Sequence, residues 1–184
     1  MFLVLIIVTV TIIAIIVNKG VKGIEKKEVR HSYLIIIGFL IQIAIFNERF
    51  ASSSFSKFTP FLYIVSLLIL LVFLITNFNY NGIKITLIGF ILNLIVIIAN
   101  GGYMPQDLAK LNIAGLGEKA KLLQESEHFY NAILMSENTY LNFLGDIIVI
   151  PQLKPIGSVY SIGDIFIIIG ICVFIFEFFK REIV

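Results

Sequence analysis

The chain has 184 residues, of which 59% are hydrophobic and only 14% charged, with a mean hydropathy of +1.00. Soluble domains carry about a quarter charged residues, so water is not the main solvent here. The net charge of +2, with no Lys/Arg cluster interleaved with aromatics, excludes a nucleic-acid partner.

A hydrocarbon core of about 30 Å needs roughly 17 to 25 apolar residues in a helix. In chain order, spans are predicted at about 1–17, 32–46, 60–78, 83–99 and 162–179. The second is short, but its Leu, Ile and Phe content favours insertion. Met1-Phe2-Leu3-Val4 offers no basic segment, and no small-x-small site precedes Asn18, so the first span reads as retained rather than as a cleaved signal. The loop Asn18 to His31 carries Lys19, Lys22, Lys26, Lys27 and Arg30 against Glu25 and Glu28, which makes it cytoplasmic and puts the N-terminus outside. Lys180 and Arg181 after the last span agree, with the C-terminus inside. Abundant Ile, Asn and Lys suggest an AT-rich bacterial genome, and hence the bacterial cytoplasmic membrane.

The expected fold is therefore all-α. Residues 1–99 form a four-helix transmembrane region, 100–161 a small, mostly helical extracytoplasmic domain, and 162–184 the fifth transmembrane helix with a cytoplasmic tail. Asn79-Tyr80-Asn81-Gly82 reads as a tight turn with Asn-Gly at positive φ. Gln42, Ser66 and Asn93 are the notable polar residues inside spans and suit interhelical hydrogen bonds. No ionisable group sits at a midplane, which counts against a pump or proton relay. In the outer segment, Pro105 to Ile113 reads as a short helix with Asp107 at its positive end. Glu118 to Met135 reads as an amphipathic helix burying Leu123, Phe129, Tyr130, Ile133 and Leu134. Ile147 to Ile150 reads as an extended stretch.

Three clusters fall at the outer boundary: Asn100-Gly101-Gly102-Tyr103-Met104-Pro105, Leu144-Gly145-Asp146 and Ser161-Ile162-Gly163-Asp164. Asn100, Gly101, Gly102, Met104, Pro105, Asp146, Ser161 and Asp164 are the candidate ligand or partner site. Ser161 and Asp164 also approximate a capping box, whereas Asp146 stands before an apolar run where a bare carboxylate is costly. The single Cys172, and His31 and His128 on opposite sides of the membrane, leave no metal or cofactor site. Kinase, P-loop, Rossmann, zinc-protease and Ser/His/Asp motifs are lacking.

The three clusters together resemble a family of small bacterial multi-pass membrane proteins of unknown function that share Asn-Gly-Gly-x-Met-Pro, Leu-Gly-Asp and Ser-Ile-Gly-Asp. More locally, Tyr160-Ser161-Ile162-Gly163-Asp164 resembles the Phe-Asn-x-Ala-Asp entering the last span of lipoprotein (type II) signal peptidases. That likeness implies Asp146 and Asp164 as a catalytic acid/base pair, although the Gly-Asn-x-x-Asp-Arg signature of those enzymes is missing. The partners expected are the lipid bilayer and, at the outer face, another membrane protein or a lipid-linked substrate. The leading expectation is a non-catalytic protein that binds a partner or lipid there, and the alternative is an aspartyl membrane hydrolase.

Overall fold

The computed structural model describes residues 2–17, 28–126, 128–150 and 158–179. The apolar helices are α1 (Phe2–Val17), α2 (Tyr33–Ile45), α4 (Thr59–Thr76), α5 (Asn81–Ala99) and α8 (Ile162–Phe179), with a short α3 (Glu48–Ala51) between α2 and α4. Among the described residues, three helices are long and apolar enough to cross a membrane: Ser56–Thr76, Asn81–Ala99 and Ile162–Phe179. The first two apolar helices are shorter. At 1.5 Å per residue, the 13 residues of α2 rise only about 20 Å. It stops there because the Asn47 side chain accepts from the Arg49 N–H and starts α3 instead. Lys19, Lys22, Lys26, Lys27, Lys180 and Arg181, on which the orientation rests, lie outside the described residues.

The helices neighbour one another in the order α2, α4, α5, α8, α1. Gln42 Nε2 donates to Ser66 Oγ at 3.1 Å, as interhelical bonding requires, and Phe46 meets Tyr63 edge to face, so α2 and α4 run antiparallel. The α5–α8 pair is the most intimate. Gly82 faces Phe174, Thr86 faces Gly170, and Gly89 faces Gly163 and Phe166, so glycines seven apart on each helix let the two backbones touch. The pair is also tied at the N-terminal end of α5. The Glu177 carboxylate accepts from Asn81 Nδ2 (2.7 Å) and the Gly82 N–H (2.8 Å), placing an acid on the positive end of α5. The connection between α4 and α5 is tight, with only residues 77–80 between them, but its expected Asn-Gly chemistry is corrected: Asn81 and Gly82 are already helical, and among the described residues the positive-φ glycines lie elsewhere. Gly82 serves a close approach, not a turn.

The outer segment mixes short helices with strands, so the mostly helical expectation is also corrected. Strand β1 (Met104–Gln106) pairs in parallel with β3 (Ala132–Leu134), which pairs antiparallel with β2 (His128–Phe129); β4 (Ile148–Ile150) and β5 (Ser158–Tyr160) form a second, antiparallel pair. Pro105 lies in β1, not in a helix. The helix begins after Asp107, whose carboxylate caps the Lys110 N–H, and runs Leu108–Ile113 as α6. The predicted helix from Glu118 to Met135 is real only as α7 (Gly117–Glu125). Ser126 ends it by turning extended while its hydroxyl bonds the Leu122 carbonyl, and the apolar residues beyond form β2 and β3. Leu111, Ala114, Ala120, Leu123, Ala132 and Val159 make the small core of this domain. A second cluster, with Ile45, Tyr63, Leu67, Leu94, Ile97 and Met104, joins it to the helix ends.

Candidate functional site

Backbone hydrogen bonds lay the three boundary motifs side by side. Leaving α5, the Gly101 and Gly102 N–H groups bond the Ile98 and Ile97 carbonyls, the two bonds of a Schellman end, with both glycines at positive φ. Gly102 also lies where a Cβ would strike Pro60 of α4. The turn feeds straight into β1. On one side of β1 runs β3. On the other, the Asp146 N–H bonds the Pro105 carbonyl (2.9 Å) and the Asp107 N–H bonds the Asp146 carbonyl (3.3 Å). Gly145 has no room for a side chain, because one would meet the Pro105 carbonyl and the Met135 methyl. The Ile147 N–H bonds the Tyr160 carbonyl, which continues the β4–β5 ladder and carries Asp146 alongside Ser161.

Most of the predicted site residues turn out to hold this arrangement together. The Asn100 side chain pairs with the Tyr140 backbone through its Nδ2 (2.9 Å) and Oδ1 (2.8 Å) and latches the 136–141 loop. Met104 and Pro105 are buried in β1. Ser161 and Asp164 form the capping box: the Asp164 N–H donates to Ser161 Oγ (2.9 Å) and the Ser161 N–H to Asp164 Oδ2 (3.1 Å). Asn93 completes it by donating to Asp164 Oδ1 (2.8 Å) and accepting from the Ser161 hydroxyl (2.8 Å). Asn93→Leu therefore strips two bonds from a part-buried triad. Thermal unfolding in detergent should register a loss of about 2 to 4 kcal/mol, against a near-silent Asn112→Leu at an exposed site on α6.

Asp146 differs from these. It is 7% exposed, and among the described residues Gln106 Nε2 is the donor to its carboxyl. Burial and then the charge of Asp164 push that carboxyl up from its ordinary 3.8 to about 7, against the opposing pull of the Gln106 hydrogen bond and the Lys119 charge. Lys119 itself is pushed down by burial and held up in part by Asp146. Gln106 Oε1 is buried without a partner among the described residues. Gln106 and Lys119 were not singled out from the sequence. The available signal was the strand period, which turns Gln106 toward the same side as Met104.

The motif glycines and Asn100 thus explain themselves structurally, and the chemistry left over is a buried, protonatable carboxyl with an amide and an amine nearby. A further cavity of about 610 Å³ lies between the α2–α4 loop and the β2–β3 hairpin, with Tyr103 of the first motif on its wall. Among the described residues, no group of His, Cys, Asp and Glu could hold a metal ion.

Residues 26–176 match the Family of unknown function (DUF5317). A relative from Thermotoga maritima, described as an uncharacterized protein, is 27% identical over 161 residues, covering 86% of this chain and 82% of its own length. No solved structure matches. Because the match runs across all three boundary motifs, from the end of α5 to the body of α8, the chain belongs to the DUF5317 family.

Proposed function

We propose that the chain is a non-catalytic protein of the bacterial cytoplasmic membrane, with five spans, that binds a lipid or another membrane protein at its outer boundary. The observation that carries the non-catalytic reading is the commitment of Asp164 to its helix cap, where its two carboxyl oxygens accept from Asn93 Nδ2 and from the Ser161 N–H. A water-activating pair needs both acids aimed at one water, whereas these bonds aim the Asp164 carboxylate at its own helix cap and at Asn93. In favour of α2 as a span, Ile36, Phe39, Leu40 and Ile43 are each more than half exposed along it, a surface that water would not tolerate and lipid would. Along α1, Ile12, Ile16 and Val17 argue the same way.

Orientation is tested by impermeant thiol labelling of single-cysteine variants in a Cys172→Ser background. Asn138→Cys, in the exposed outer loop, should label in intact cells, and Asn79→Cys, in the α4–α5 turn, only after permeabilisation. The reverse pattern would refute an outside N-terminus and an outside α/β domain.

One observation favours the aspartyl hydrolase instead: the Asp146 carboxyl, raised to about 7 in part by Asp164, lies in the range of a working general acid–base. Purified protein incubated with a lipidated membrane-anchored peptide should show no turnover. Cleavage by the wild type that disappears in both Asp146→Asn and Asp164→Asn, with folding intact, would replace the binding reading.

A further inference from the structure

The 610 Å³ cavity at the outer boundary is lined by charge of both signs. Glu48, in the first turn of α3, and Lys57, in the turn before α4, come from one connecting loop, yet no ion pair joins them among the described residues. Aromatic residues line it too: Tyr103 stacks on His128 with ring centroids 4.5 Å apart, and Phe129 and Tyr130 follow. Ile45 also lines it, at the end of α2, the helix whose Phe39, Leu40 and Ile43 are exposed along the surface that acyl chains would cover. The cavity's volume falls within the range of small-molecule sites.

We propose that this cavity binds the headgroup of a zwitterionic aminophospholipid, its phosphate on Lys57 and its primary ammonium between Glu48 and the tyrosine rings. The assignment rests on the outer-face binding reading above and names its ligand. An anionic headgroup satisfies Lys57 but faces the Glu48 carboxylate with no cation to offer it. A choline headgroup offers a cation to the aromatic rings but has no N–H to donate to the acid. Only a primary ammonium beside a phosphate uses both charges and the rings.

The test uses the full-length chain in detergent, with native mass spectrometry of bound lipid and phosphatidylethanolamine, phosphatidylcholine and phosphatidylglycerol of identical acyl chains as probes. Phosphatidylethanolamine should be retained about tenfold better than either competitor, the effect of one satisfied charge. Glu48→Gln should erase its advantage over phosphatidylglycerol, Lys57→Gln should weaken it about tenfold, and Lys121→Gln, on the exposed face of α7, should leave it unchanged. The Glu48 and Lys57 variants should unfold thermally as the wild type does, since both residues are exposed and, among the described residues, make no ion pair to lose. Equal retention of the three lipids, or variants at Glu48 and Lys57 that bind as the wild type does, would overturn the proposal. Competition by soluble phosphoethanolamine at the same concentration as the lipid would assign the site to the free headgroup compound and overturn the lipid form. Because lipid preference in detergent does not depend on orientation, it can fail while the labelling pattern stands, and the labelling pattern can fail while it stands.

Discussion

Replacing Gly89 by leucine is expected to abolish most of the folded protein, and it is the single change with the largest predicted effect. A Cβ at Gly89 overlaps the Gly163 carbonyl and the Ile167 N–H on α8, and neither backbone atom can rotate away. The same holds in register along the pair: Gly163 faces the Gly89 carbonyl and Asn93, Gly170 faces the Thr86 backbone and the Gly82 carbonyl, and Gly82 faces the Phe174 backbone. Relief at one contact would therefore lift the other three and pull apart the Asn93–Asp164 and Asn81–Glu177 ties at the two ends. In lipid there is no hydrophobic force to hold loosened helices together, because acyl chains solvate apolar side chains equally well. Overpacking of a core commonly costs about 1 to 3 kcal/mol, and a clash with backbone exceeds that range. A drop of about 10 °C or more in the unfolding temperature, or aggregation on size-exclusion in detergent, is the expected result. Ile88→Ala, next in sequence but half-exposed to lipid, is the control and should behave as the wild type does. Folded Gly89→Leu protein with an unfolding temperature within a few degrees of normal would mean that the α5–α8 approach is not as close as described.

How much of this was legible in the sequence follows from which interactions are local. The apolar helices, the Ser161–Asp164 capping box and the extended run after Asp146 were readable because each depends on residues within a few positions. The convergence of the motifs was readable only as a common membrane depth. What sets them side by side is strand pairing between segments about 40 residues apart, and no periodicity records a partner that distant. Phe129, Ile133 and Leu134 fit a helical stripe, but a short apolar run suits a strand as well, and Ser126 decided between them by ending α7. The duties of the glycines were hidden for a similar reason. Gly163 makes room for α5, and Gly102 makes room for Pro60, and only the packing of the helices reveals either partner. Glu48 and Lys57 carried no signal at all, since two solvated charges in a loop look alike whether or not a cavity separates them.

Asp146→Asn is expected to stabilise the protein above neutral pH and to flatten its pH dependence. Burial and the neighbouring Asp164 raise the Asp146 carboxyl from 3.8 to about 7, so the folded state holds this proton more tightly than the unfolded chain does. Stability contributed by that proton is complete below about pH 4 and is lost as pH rises, at about 1.4 kcal/mol per pH unit, until it is gone above about 7. The wild type should thus unfold at a lower temperature at pH 8 than at pH 5. The variant carries no titrating group at this position, so the difference between the two proteins isolates Asp146 from every other acid. The introduced side-chain amide also answers Gln106, since its N–H can donate to the buried Gln106 Oε1 that the carboxylate leaves unpartnered. Asp146→Leu cannot, and should destabilise at every pH by stranding both ends of the Gln106 amide. Neighbours set the midpoint in a predictable direction: Lys119→Met and Gln106→Leu each remove an interaction that favours the charged form, so either should move the transition upward in pH, whereas Asp164→Asn removes a repelling charge and should move it down. A wild-type minus Asp146→Asn difference that stays flat from pH 5 to 8 would show that the carboxyl titrates in its ordinary range, and with it would go the one observation that favours an acid–base role for this residue.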